Sequence, residues 1–442
     1  MLHVSIPNNN LPEREYIIEV MLTGFLGLPY SLTPGPDPTA YHLCFDGAEL
    51  VIRDHFFSRY PSPLSYLVKE AIPLRAGFLK NRCTIDKDIP VIYGNDEFHH
   101  EGQKLVCGID LFGSSFFMLA RWEEAVLRVR DIHNRFPGRE SLAVRGGFLH
   151  RPVVNEYAFL LWNMLVLLGY KGERKSRSYG LVLTHDVDHL DYPSTCRILL
   201  SDLLKRHSIT LAHRHLNQYR ASGANPYDYF DFLMTHSEKL GLRSHFYFMS
   251  TNSGLPYDRR FYLNKKCFHD KVREIRNRGH LIGFHPGYYT CDNEERWRNE
   301  KELLERVLDS RITEGRQHYL RFDIPLTFRI WERNGMETDS TLGYAEYEGF
   351  RCGTGDDFHV FDVLDRNRLH LKERPLVIMD GTLKQFKRYD PETMVDCFRS
   401  YLFAARKYQM QLTILFHNCF YGEWEGYDNH YVRMLESSFR DF

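Results

Sequence analysis

Hydrophobic and polar positions change period near the middle of this 442-residue chain. Downstream of residue 176, short apolar runs of strand length alternate with longer stretches whose apolar residues recur every three or four positions. The runs predict strands at 180–184, 244–249, 280–284, 318–322, 349–352, 376–380 and 411–416. The intervening stretches predict helices with recognisable ends. Asn225-Pro226 supplies a cap and a first-turn proline, and Leu240-Gly241 a stop. Asp292 with Glu295 makes a capping box, and Asp390-Pro391 opens a helix carrying Met394, Val395, Phe398, Tyr401, Leu402 and Ala405. Seven strands alternating with helices predict an α/β fold with a parallel sheet, most simply a closed or nearly closed (β/α) barrel, whose chemistry sits at the C-terminal strand ends.

Upstream, the apolar stretch Phe159–Gly169 falls short of the ~18 residues of a membrane span and reads as a buried helix. The charged stretch from Lys171 to Ser178 follows it. A boundary there divides the chain into a smaller α/β or α+β accessory domain, 1–175, and the barrel, 176–442. In the first of these, Arg121, Trp122 and Glu123 read as an ordinary helix face.

Composition narrows the picture only a little. A net charge of −1 gives no reason to expect nucleic acid or an anionic membrane as the main partner. Nine cysteines without a CxxC pair suit free thiols in a reducing compartment. With no basic-then-apolar leader at Met1, the expectation is a soluble, cytoplasmic protein. Oligomeric state is not readable.

The strand ends carry the candidate chemistry. The first strand closes with Thr184-His185-Asp186-Val187-Asp188, and residues two apart on an extended backbone share a face. Two crowded carboxylates there call for a cation or a shared proton. Other ends carry His285, Arg321 with Asp323, Asp380, and His417. One carboxylate with one or two imidazoles suits zinc, or cobalt, nickel or manganese. A divalent ion acidifies water, a second carboxylate accepts its proton, and a histidine across the site protonates a leaving group. These are the parts of an amide or ester hydrolase.

The same residues resemble the polysaccharide deacetylase family, carbohydrate esterase family four, over roughly 178–442, which implies the irregular (β/α)7 form of the barrel. Thr184–Asp188 resembles its first motif, which implies Asp186 as general base and Asp188 as metal ligand. Gly279-His280-Leu281-Ile282-Gly283-Phe284-His285 resembles the second, implying His285 as ligand and a structural His280. The third motif's arginine falls on Arg321, before Pro325, with Gly349-Phe350-Arg351 as the rival placement. Ile414-Leu415-Phe416-His417 resembles the last, implying His417 as general acid. Phrases such as Asp110–Phe117, Arg151–Tyr157, Arg316–Phe322 and Asp339–Tyr344 are similar to a bacterial subgroup with an extra N-terminal domain, found with surface and capsular polysaccharide genes.

One position departs from the family. A second metal histidine is expected four residues after His285, where this chain has Tyr289. His185 and His189 are the nearest substitutes, although strand alternation turns His185 away from Asp186. Tyr289 itself, Asp380 and Trp424 are candidates for substrate binding, with Asp380 alternatively bracing His417. The resemblance therefore implies a metal-dependent deacetylase of N-acetylated sugars or a glycan precursor. The alternatives are a non-catalytic carbohydrate-binding relative with a degenerate metal site, and a different barrel amidohydrolase. That last class would want His-x-His where this chain has Asp-x-Asp.

Overall fold

A computed structural model describes the chain except residues 191–194, 205–206, 211, 214–215, 218–226, 252–254, 259–262, 424–425 and 441–442. The Asn225-Pro226 cap and Trp424 lie outside the described residues. The fold is mixed α/β and divides into two compact units. One joins Met1–Gly180 with Tyr319–Ile378 and Ser400–Thr413; the other joins Leu181–His318 with Met379–Arg399 and Ile414–Phe442.

In the first unit a six-stranded mixed sheet runs in the order Tyr30–Gly35, Leu2–Pro7, Ala40–Phe45, Ala48–Arg53, Lys104–Ile109, Gly94–Glu101. The apolar stretch near 159–169 forms the largely buried helix Val153–Leu167. Residues 349–352, expected as a strand, form a loop and turn; the strands nearby are instead Phe358–Asp362 and Asn367–Glu373, an antiparallel pair. The segment Arg121–Glu123 is no surface helix face. Arg121 sits at φ 50° between two helices, fully buried, with its guanidinium 2.6 Å from Glu123 and 2.9 Å from Glu124. Burial of that charge is tolerated because both carboxylates hydrogen-bond to it.

The second unit holds the strand ends of interest. Strand β1 (Gly180–Val187) pairs in parallel with β2 (Ser244–Phe248), and β2 with β3 (Leu281–Phe284), which meets the short β4 (Glu314–Gly315). Strands β5 (Leu376–Met379) and β6 (Gln411–Leu415) deliver Asp380 and His417 from their C-terminal ends. β1 is buried throughout Leu183–Val187, which takes Thr184, His185 and Asp186 out of water with it. In place of the expected box, Asn293 caps the helix Glu294–Leu308, accepting from Arg296 N at 3.0 Å.

Two glycines set the spacing of these strands. A Cβ on Gly283 would lie 2.5 Å from the Tyr247 ring, and one on Gly315 only 2.0 Å from the Phe284 carbonyl. Only glycine lets β3 and β4 come this close. The expected strand 318–322 is not one: the chain turns there, with Tyr319 and Leu320 at φ 60° and 54°. The strand that counts is the two-residue β4, four residues earlier. Among the described residues no disulfide forms. Within the same residues, no helix is long and apolar enough to cross a membrane.

Candidate metal and proton-transfer site

All the side chains that converge on the strand ends belong to the second unit. Asp186 closes β1 and is 2% exposed. Its Oδ1 accepts from Arg316 Nη1 at 2.9 Å, and the same nitrogen donates to Thr184 Oγ1 at 2.8 Å. Arg316 is fully buried and lies over the Tyr247 ring, 5.2 Å from its centroid. A buried guanidinium against a buried carboxylate keeps Asp186 oriented with one oxygen committed. The other oxygen faces His285 Nε2 at 3.7 Å.

Asp188 stands two residues on. Its Oδ1 lies 3.4 Å from His285 Nε2 and 3.8 Å from His318 Nε2, and Oδ2 lies 4.0 Å from His417 Nε2. Asp188 Oδ1 is buried without a full hydrogen bond in this arrangement. Burial pushes the Asp188 pKa up, but the His285 contact and the charges of His318 and His417 outweigh it, leaving it well below the ordinary range.

The two imidazoles are aimed. His285 Nδ1 donates to the Arg316 carbonyl at 2.6 Å, so Nε2 is the nitrogen turned toward the carboxylates. Burial pulls His285 down in pKa, yet the Asp186 and Asp188 carboxylates prevail and raise it. His318 follows β4, its ring centroid 5.0 Å from that of His285, with backbone N donating to the Pro286 carbonyl at 3.1 Å. One donor atom from each of Asp188, His285 and His318 lies within 4.8 Å of the others. A carboxylate and two imidazoles in that triangle, with a buried carboxylate oxygen short of a donor, fit a divalent transition metal.

On the opposite side stands His417. Its Nδ1 donates to Asp380 Oδ1 at 2.6 Å and its backbone N to Asp380 Oδ2 at 2.6 Å; Gly381 N adds a third bond at 2.6 Å. Burial pulls the His417 pKa down, but fully buried Asp380 outweighs it, with smaller help from Asp188 and Asp186, and raises it to about 9. His417 is therefore a cation at neutral pH, one ring N–H on Asp380 and the other facing the triangle.

Several predicted residues are thus brought together: Asp186, Asp188, His285, Asp380 and His417. Others are not. Arg321 Nε donates to the His133 carbonyl at 2.8 Å, within the first unit. The rival Arg351 is held by Glu124 and by the Gly343 carbonyl. The arginine on Asp186 is Arg316. Tyr289 is not in the triangle; it lines a cavity of about 400 Å³ with Ser250, Thr251, Asp258, Arg296 and Glu300. Asp380 has no exposed surface to offer a substrate and braces His417 instead. His185 points away, donating to the Phe416 carbonyl at 2.9 Å with Nε2 3.1 Å from Ser244 Oγ; burial drives its pKa to about 3. The His189 ring packs at a tilt against Tyr227, 4.8 Å between centroids. His318 and Arg316 were missed because the strand leading to them is two residues long. The phrase Arg316-Gln317-His318 was the available signal.

A family model described as a family of unknown function, DUF7033, matches residues 2–169. No curated protein matches the chain. Among solved structures, the chain is similar to one described as a polysaccharide deacetylase of Mycobacterium smegmatis, at 15% identity and TM-score 0.39, over 60% of this chain and 86% of that one. It is also similar to a family 4 carbohydrate esterase of Streptomyces lividans with acetate bound, at 9% identity and TM-score 0.29, over 59% and 88%. A third, a CE4 family pseudoenzyme of Bacillus anthracis, matches at 11% identity and TM-score 0.29, over 59% and 61%. These likenesses are distant, and what the site can do is derived from its own side chains.

Proposed function

We propose that this chain is a metal-dependent hydrolase that removes acetyl groups from N-acetylated sugars or a glycan precursor. The observation that carries this is the triangle Asp188–His285–His318 set between two differently tuned groups, an arginine-held carboxylate and an aspartate-held imidazolium. Charge supports it as well. Asp186 is paired with Arg316 and Asp380 with His417, which leaves Asp188 as the carboxylate open to a cation. Zinc is the first choice for this donor set, with cobalt, nickel or manganese as alternatives.

Such an ion, when bound, acidifies water toward pKa ~7 and polarises a carbonyl. The chain's own groups then divide the proton work. Asp186, fixed by Arg316, accepts the proton of the attacking water at its free oxygen. His417, protonated at neutral pH, delivers a proton from Nε2 to the departing amine, while Asp380 keeps its ring aligned. The N-acetyl sugar class rests on the motif resemblance at Thr184–Asp188, Gly279–His285 and Ile414–His417. The same resemblance suggests a place in surface polysaccharide metabolism. The family-model match over 2–169 supports an accessory segment ending near residue 175, which in the fold shares its compact unit with Tyr319–Ile378 and Ser400–Thr413.

The non-catalytic alternative starts from the histidine missing at Tyr289, and His318 as a third donor favours the enzyme reading over it. Acetate release from chitooligosaccharides and from UDP-N-acetylglucosamine, with added zinc or cobalt, decides between them. The enzyme reading expects release by wild type and at least a ~100-fold loss in Asp186→Asn, the typical weight of a positioned base. Equal release by both proteins, or none by either on any N-acetyl sugar, overturns it.

A further inference from the structure

Asp258 belongs to none of the motif segments, yet it is only 5% exposed and meets the metal triangle from behind. Its Oδ1 lies 3.4 Å from His318 Nδ1, the ring nitrogen facing away from Asp188, and accepts from Tyr288 N at 2.6 Å. Tyr257, its neighbour, stacks on the Tyr288 ring at 4.6 Å between centroids, which ties this loop to the segment after His285. The two histidines are thereby cross-braced. The chain after β4 orients the His285 ring through the Arg316 carbonyl, and the chain after β3 anchors the His318 backbone through the Pro286 carbonyl. Neither bond fixes the rotation of the His318 ring, and the Asp258 carboxylate stands where that rotation is decided.

We infer that Asp258 is a positioning residue that turns His318 Nε2 toward Asp188 and strengthens that nitrogen as a metal donor. A carboxylate on the far nitrogen of a ligating imidazole holds its N–H, selects the tautomer and raises its basicity. The two histidines would then be unequal, one backed by a neutral carbonyl and the other by a carboxylate. This rests on the metal site proposed above.

Glu300 separates positioning from loop packing. It lines the same cavity, accepts from Gly287 N at 2.8 Å and lies near Asp258, whose charge, after burial, helps push its pKa to about 7. Its carboxylate is committed to the Gly287 backbone, so it serves as a control for the loop. The test is titration of chelator-stripped full-length protein with Zn(II) against a chromophoric chelator, and with Co(II) read by its visible spectrum. Wild type, Asp258→Asn, Asp258→Ala, Glu300→Gln and His318→Ala are compared, with thermal melts to show each is folded. Losses of ~10–100-fold in affinity are expected for both Asp258 variants, with an altered Co(II) spectrum, and less than a ~3-fold change for Glu300→Gln. Unchanged affinity in the Asp258 variants, with His318→Ala impaired, overturns this inference and leaves the metal site standing. An equal loss in Glu300→Gln assigns the effect to loop packing and also overturns it. A wild type that binds neither metal overturns both the inference and the proposed function.

Discussion

Replacing Asp380 by Asn should convert His417 from a cation to a neutral imidazole at pH 7. In the wild-type site burial alone would lower the His417 pKa below 6.5, and Asp380 is the main group that lifts it to about 9. That lift is worth about 3 kcal/mol. Asn keeps the shape but offers a single acceptor oxygen, so the charge and the hydrogen bond at the other oxygen are removed together. The folded-state pKa is raised, so the pair's full stabilisation is present below about 6.5 and is lost as pH rises through about 9. Asp380→Asn should lack that alkaline loss. The assay is an NMR titration of 13C-histidine-labelled, metal-stripped protein, with His417→Gln identifying the resonance. The expected midpoints are near 9 in wild type and below 6.5 in the variant. A wild-type midpoint near 6.5, or an unmoved midpoint in Asp380→Asn, refutes the assignment of His417 as a proton donor held by Asp380.

Three further expectations follow the same logic. Arg316→Met leaves Asp186 buried without its partner and should destabilise the fold by about 3–5 kcal/mol in urea unfolding, whereas Arg321→Ala should leave acetate release within about 3-fold of wild type; equal effects would return the role to Arg321. His185 takes a proton near 6.5 when unfolded and only at about 3 when folded, so the unfolded state binds more protons between those values and stability is lost as pH is lowered through that window. His185→Gln should flatten that slope in acid urea titrations, and an unchanged slope would refute the buried neutral imidazole. Gly315→Ala places a Cβ against the Phe284 carbonyl, 2.0 Å away before relaxation, and should cost on the order of 3 kcal/mol by thermal denaturation. A cost under about 0.5 kcal/mol would mean β4 is not held that tightly.

Much of the site was legible because strands of useful length carried it. β1, β3, β5 and β6 each show an apolar run ending in an ionisable residue, and the side-chain alternation that separates His185 from Asp186 follows from the pleat alone. What escaped notice lies where local pattern is silent. β4 has two residues, too few for any periodicity, so the pattern points to residues 318–322 as the strand and to Arg321 as the arginine. In fact Tyr319 and Leu320 adopt left-handed backbone, which nothing in their side chains announces. The third donor was expected at Tyr289, on the same segment as His285; it comes from the neighbouring strand end, a relation set by sheet order rather than by spacing in the chain. Asp258 sits in a loop without a motif and becomes visible only by its distance to His318.

Metal stoichiometry is the most direct measurement of the central claim. Full-length protein, stripped with chelator, reloaded with zinc and desalted, is assayed by elemental analysis beside His318→Ala and Tyr289→Phe. The expected result is close to one zinc per chain in wild type and Tyr289→Phe, and a small fraction of that in His318→Ala. Retention of zinc by His318→Ala with its loss in Tyr289→Phe, or no zinc in wild type, would contradict a centre built from Asp188, His285 and His318.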